Sequence, residues 1–202
     1  VIISFCINQP ESWRKSSDKK EIILNNRKTL LYLNKVSASF PISIIVLDHT
    51  SPGNGFHSNV GCVGLARKLC IDSFLSFTNS NDIIVNMDAD TYYPDNYFEN
   101  IIDIYNQLPL LSGVCAPYYH KIDNLQENKA RLMLRYEIFL HYYTLQLLLI
   151  KSPYAYMPIG SAMSFRVEAY KKASGFKVKD AGEDFYTMQQ IRKIGIINSW
   201  LD

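Results

Sequence analysis

The chain has 202 residues, 48% of them apolar and 20% charged. That composition supports a buried core and excludes a disordered segment. A net charge of +2 leaves no basic footprint for nucleic acid, which is excluded as a partner; Lys19-Lys20 and Lys171-Lys172 read as solvated faces. The most lipid-like stretch, 138–150, is interrupted by His141, Thr144 and Gln146 and is shorter than the roughly 20 apolar residues of a membrane span. Cys6, Cys62, Cys70 and Cys115 form no Cys-x-x-Cys pair and no short Cys/His zinc spacing. Cys6 and Cys115 lie in or beside apolar strand-like runs, and four buried thiols point to a reducing compartment, while an even count also permits two disulfides. No basic region precedes Val1, so the start does not read as a secretory signal. The expectation is a single domain over 1–202, cut short at its C-terminal end.

Residues 1–7 read as a first strand ended by Asn8-Gln9-Pro10, and Glu21 to Leu33 has helical spacing, with Ile22, Ile23, Leu30, Leu31 and Leu33 on one side. Ile42 to Leu47 is a second strand, stopped by the turn chemistry of Asp48-His49-Thr50-Ser51-Pro52-Gly53. A helix is predicted over 64–77, and a third strand over 83–87. Tyr97 to Leu108 follows Pro94-Asp95 as a helix. A strand over 113–117 and a long helix over 125–150 come next, in which Tyr136, Phe139, Leu140, Tyr143 and Leu147 form a face expected to pack on the sheet, with a lipid-facing or partner-facing surface as the lesser reading. A short strand at 161–165, a helix at 167–174 closed by Gly175, and a helix at 183–194 with Gly195 just past its end complete the pattern. Alternating strands and helices argue for an α/β fold with a mainly parallel central sheet flanked by helices.

The most informative stretch is Ile83-Ile84-Val85-Asn86-Met87-Asp88-Ala89-Asp90. A buried strand ending in two carboxylates puts acids where open α/β sheets hold their ligands. Hard oxygen donors there suit Mg²⁺ or Mn²⁺ carrying a diphosphate. Three further segments accompany it: the strand ending Ile7-Asn8 with Ile44 to Ser51; Gly61-Cys62-Val63-Gly64-Leu65-Ala66-Arg67-Lys68; and Gly160-Ser161-Ala162-Met163-Ser164-Phe165-Arg166 followed by Gly182-Glu183-Asp184-Phe185.

In this order and spacing the chain resembles the family 2 inverting glycosyltransferases of the GT-A, nucleotide-diphospho-sugar transferase fold. The resemblance implies metal-dependent transfer of a sugar from a nucleotide-sugar donor, a UDP-sugar by family frequency, to an acceptor hydroxyl in surface glycan or polysaccharide synthesis. It assigns Asp90 and Asp88 to Mn²⁺ or Mg²⁺. Donor binding falls to Phe5, Ile7, Asp48, Arg67, Asp88 and Ala89, and the acceptor side to Gly160, Ser161 and Ala162. The catalytic carboxylates are Asp184, as base, and its neighbour Glu183. Other readings accompany these. Asp48 can make an Asx-turn, and Glu183 and Asp184 can simply favour a helix N-terminus. The implied partners are a nucleotide-sugar donor and a glycan or lipid-linked acceptor, with a cytoplasmic enzyme peripheral to the inner face of a membrane; the oligomeric state is unknown. The family's later Gln/Arg-x-x-Arg-Trp motif is missing: Trp200 follows Ile196-Ile197-Asn198-Ser199. The alternatives are a non-catalytic nucleotide- or glycan-binding module and a sugar-nucleotide-synthesising enzyme, although the latter's Gly-rich basic loop is not found at Asn8 to Trp13.

Overall fold

A computed structural model describes residues 1–57, 62–179 and 181–199. Gly61 of the third motif and Trp200 lie outside the described residues. The chain divides into two compact units, one formed by residues 1–79 and 174–186, the other by residues 80–173 and 187–202.

In the first unit β1 (Ile2–Asn8) pairs in parallel with β2 (Ser43–His49), from Ile2 opposite Ser43 to Asn8 opposite His49. Parallel strands need a long connection, and here it is two 3-10 turns (Glu11–Lys15, Ser17–Lys19) and helix α1 (Lys20–Ser39). Helix α1 half-buries Ile23, Leu30 and Leu33 as its spacing predicts, whereas Ile22 and Leu31 of the expected face are exposed. Helix α2 (Cys62–Asp72) packs on β1. Strand side chains alternate between faces, so Ser4 and Cys6 share one: the Ser4 and Ser73 hydroxyls are 3.0 Å apart, and the free thiols of Cys6 and of Cys70 on α2 act on each other, which pushes Cys6 up and Cys70 down from the ordinary thiol range. Phe5 and Ile7 lie on the other face, with Ile7 in the core.

The second unit holds β3 (Ile83–Asn86), α3 (Tyr97–Gln107), β4 (Leu111–Cys115), α4 (Glu127–Leu149), β5 (Met163–Arg166), α5 (Val167–Lys172) and β6 (Ile196–Ser199). It also holds all of α6 (Glu183–Ile194) from Thr187 onward. Its four strands run in the order β3-β5-β4-β6. Strand β5 is antiparallel to both β3 and β4, and only β4 and β6 are parallel. The described pairings therefore do not make one mainly parallel central sheet. The long connection from β4 to β5, which contains α4, brings β5 in against the direction of its neighbours. Strand β6 was not among the predicted elements.

Helix α3 buries Tyr97, Ile101 and Tyr105, one per turn, into a core with Leu111, Val114, Ala116 and Ala162. Gly113 on β4 admits α6: a Cβ there would stand 3.1 Å from Met188 Cε and 3.4 Å from Ile191 Cγ2, and both side chains are fully buried. At the end of β5, Arg166 donates to the carbonyls of Leu111 (3.1 Å), Asn81 (2.8 Å) and Tyr105 (3.3 Å). This joins the ends of three elements.

Helix α4 corrects the sequence expectation. Tyr136, Phe139 and Tyr143 are 49%, 60% and 51% exposed, so they do not form the packed face. The inward stripe is Met133, Glu137, Leu140, Thr144 and Leu147, at alternating steps of four and three, with Thr144 buried and the others half-buried. It is turned by one residue because Glu137 has a polar partner to meet: its carboxylate accepts the His120 backbone N–H and pairs with His120 Nδ1 at 2.8 Å. No helix among the described residues is long and apolar enough to cross a membrane.

Candidate active site

In the first unit the chain leaves β2 through a turn organised by Asp48. Its Oδ1 accepts the Thr50 N–H (2.8 Å), the Thr50 hydroxyl (2.7 Å) and the Ser51 N–H (3.0 Å), and its Oδ2 accepts the Ser51 hydroxyl. Burial pushes this carboxyl up, but the four donors outweigh it and hold it at about 2. Four donors nearly fill the lone pairs of a carboxylate, so the turn role is the one on view at Asp48. The buried Gln9 backs the turn. Its amide donates to the Thr50 carbonyl (3.2 Å), and its oxygen accepts from Asn26 on α1 (3.0 Å). Glu11 accepts the N–H groups of Gly53 (3.2 Å) and Gly55 (2.9 Å), and Gly53 takes the left-handed φ of +85° that such a turn requires.

The same unit brings together two of the predicted residues. Arg67 Nε lies 3.6 Å from Glu183 Oε1, with the side chains only 12% and 11% exposed. The approach is tight. A Cβ on Gly64, one turn before Arg67, would lie 2.6 Å from the Lys177 carbonyl oxygen and 3.1 Å from Glu183 Cβ. Asp184, next to Glu183, is half-buried and accepts the Phe185 N–H at 2.7 Å in the first turn of α6, where orphan N–H groups are expected. The chain reaches that helix through Gly182, at φ +70°.

In the second unit β3 delivers Asp88 and Asp90 on the loop that follows it. Asp88 is half-buried, while Ala89 and Asp90 are exposed. The loop is closed by a turn in which the Thr91 N–H donates to the Asp88 carbonyl (3.2 Å). The backbone N–H of Asp88 donates to the Tyr93 hydroxyl (3.0 Å), and that hydroxyl donates to the Ser161 carbonyl (2.9 Å). The acidic loop and the segment before β5 thus meet at one phenol. Gly160, Ser161 and Ala162 are all buried, Ala162 within the core cluster, so a ligand at this segment would meet backbone rather than side chains. Asn86, at the end of β3, is 6% exposed, and its Nδ2 has no hydrogen-bond partner among the described residues.

The family model described as Glycosyl transferase family 2 matches residues 74–173. The chain carries a family 2 glycosyltransferase domain, of the GT-A type. No curated protein sequence matches the chain. The matched stretch of this glycosyltransferase contains the acidic loop, Tyr93 and residues 160–162, whereas Asp48, Arg67, Glu183 and Asp184 fall outside it. The family implies a nucleotide-sugar donor and an acceptor. Sequence reasoning missed Tyr93, whose second partner, Ser161, lies 68 positions along the chain. It placed Gln9 at the end of the first strand, where the resemblance puts the nucleobase pocket, but not as the buried amide that backs the turn.

Whether a divalent ion suits the glycosyltransferase follows from its donor set. Among the described residues no group of three or more His, Cys, Asp or Glu could hold a metal on its own. Mg²⁺ and its like are commonly held by one or two carboxylates, with water and substrate phosphates completing the shell. Asp88 and Asp90, hard oxygen donors on an accessible loop, fit that kind of site.

Proposed function

We propose that this glycosyltransferase moves a sugar from a nucleotide-sugar donor, a UDP-sugar, to an acceptor hydroxyl with inversion at the anomeric carbon. Its place would be surface glycan or polysaccharide synthesis. The observation that carries the reading is the pair Asp88 and Asp90 directly after β3, inside the family match. These two would hold Mn²⁺ or Mg²⁺, which when bound neutralises charge on the departing diphosphate.

The remaining roles follow by residue. Asp184 is the base: it takes the acceptor hydroxyl proton as that oxygen bonds to the anomeric carbon and the bond to the diphosphate oxygen breaks on the opposite face. One carboxylate suffices, and no covalent sugar intermediate forms. Glu183 holds the Arg67 guanidinium by charge, which leaves Arg67 further N–H donors for the donor's base or phosphates. Asp48 can accept a nucleobase N–H once the Ser51 hydroxyl turns away from Oδ2. Ile7 and Phe5 contribute apolar surface beside the base, Ala89 keeps the acidic loop slim, and the backbone at 160–162 lines the acceptor side. The acceptor is a glycan or a lipid-linked glycan, and the latter would bring the enzyme to the inner face of a membrane from the cytoplasm.

The test is turnover of UDP-sugars with Mn²⁺ or with chelator. Release of UDP that needs the metal, with the product sugar inverted, supports the proposal. Binding of UDP without turnover, with a range of acceptors, would favour a non-catalytic nucleotide-binding module.

A further inference from the structure

We propose that Tyr93 is a positioning residue whose hydroxyl couples the acidic loop to the 160–162 segment, so that seating a metal-bound nucleoside diphosphate at Asp88 and Asp90 also sets the backbone on the acceptor side. This rests on the donor site proposed above.

The geometry is specific. A phenol can accept one hydrogen bond while donating another, and Tyr93 does both. It accepts from the Asp88 N–H at 3.0 Å and donates to the Ser161 carbonyl at 2.9 Å, a partner 68 positions away. Bonds in such a chain polarise one another. The ring is held by Tyr97, with centroids 4.8 Å apart, and packs against the core cluster, so the hydroxyl has a fixed base to act from. The segment it reaches is equally well tied. The Ala162 N–H donates to Ile159 (2.8 Å), and the Ala162 carbonyl accepts the Ala116 N–H beyond β4 (2.7 Å). A shift of Asp88 toward a bound ion therefore pulls on the Ser161 peptide through two hydrogen bonds. Side chains at 160–162 cannot report such a shift to a ligand because they are buried; the backbone can.

Hydrogen exchange of the whole chain with and without Mn²⁺ and UDP tests this, with Tyr93→Phe beside the wild type. Tyr105→Phe is the control, since it removes another phenol contact of the same unit, to Ser164 Oγ at 3.3 Å. In the wild type and Y105F, ligand slows exchange at residues 88–93 and also at 159–163. In Y93F the second effect disappears, and affinity for Mn²⁺ and UDP falls about fivefold to tenfold, as for loss of a hydrogen bond or two. Thermal melts should show Y93F and Y105F to be similarly folded. Slowing at 159–163 that persists in Y93F, or that never occurs in a wild type that binds, overturns the coupling alone. A folded wild type that binds no Mn²⁺ with UDP overturns the donor site and the coupling together.

Discussion

Replacing Asp48 with Asn keeps the size and one carbonyl acceptor of the side chain but removes the charge to which Thr50 and Ser51 donate. In the folded chain this carboxyl sits at about 2 against an ordinary 3.8: burial pushes it up, and the Ser51 and Thr50 hydrogen bonds more than reverse this. A depression of that size is linked to at most about 2.4 kcal/mol of stability. Asp48 is only half-buried, and solvent screening brings the expectation down to about 1 kcal/mol. The sign follows from the lowered value: the contribution is complete above the unfolded value of 3.8, shrinks as the pH falls from there toward about 2, and is gone below it. Thermal melts of wild type and D48N should differ by about 2–4 °C at pH 7, and the gap should close as the pH approaches 2. A gap that does not change with pH, or no gap at pH 7, would refute the argument that charge-assisted bonds hold this turn.

Breaking the buried pair by Glu183→Ala or Arg67→Ala should each destabilise the fold, because the removed charge faces its partner at 3.6 Å with the two side chains only 12% and 11% exposed. The double variant should cost clearly less than the sum, and a denaturant double-mutant cycle reads the coupling. Asp184→Asn should leave Mn²⁺ and UDP binding within about twofold and lower the transfer rate by about 10²–10⁴-fold, the usual worth of a general base. Steady-state kinetics beside calorimetry separates the two effects.

Much of the fold was legible because the strands are short apolar runs closed by turn residues, as at Ile83 to Asn86 and at Asp48 to Gly53. The hidden parts have physical reasons. Strand β6 offers only Ile196 and Ile197 before two polar residues, too little to announce a strand. The buried face of α4 is not legible because large apolar residues surround that helix, among them Leu132, Ile138, Phe139, Tyr142 and Leu145, so period alone does not pick out the stripe containing Glu137 and Thr144. The acidic pair was readable because its chemistry is local. The pairing of Arg67 with Glu183 and the reach of Tyr93 to Ser161 were not, since each joins residues that only the folded chain brings together.

Calorimetric titration of Mn²⁺ with UDP into the wild type and Asp90→Ala tests the central claim most directly. Asp90 is exposed, so its removal should leave the melting temperature unchanged. The account predicts UDP binding by the wild type that needs the metal and is abolished in D90A. UDP binding of equal strength in D90A, or unaffected by chelator, would contradict it.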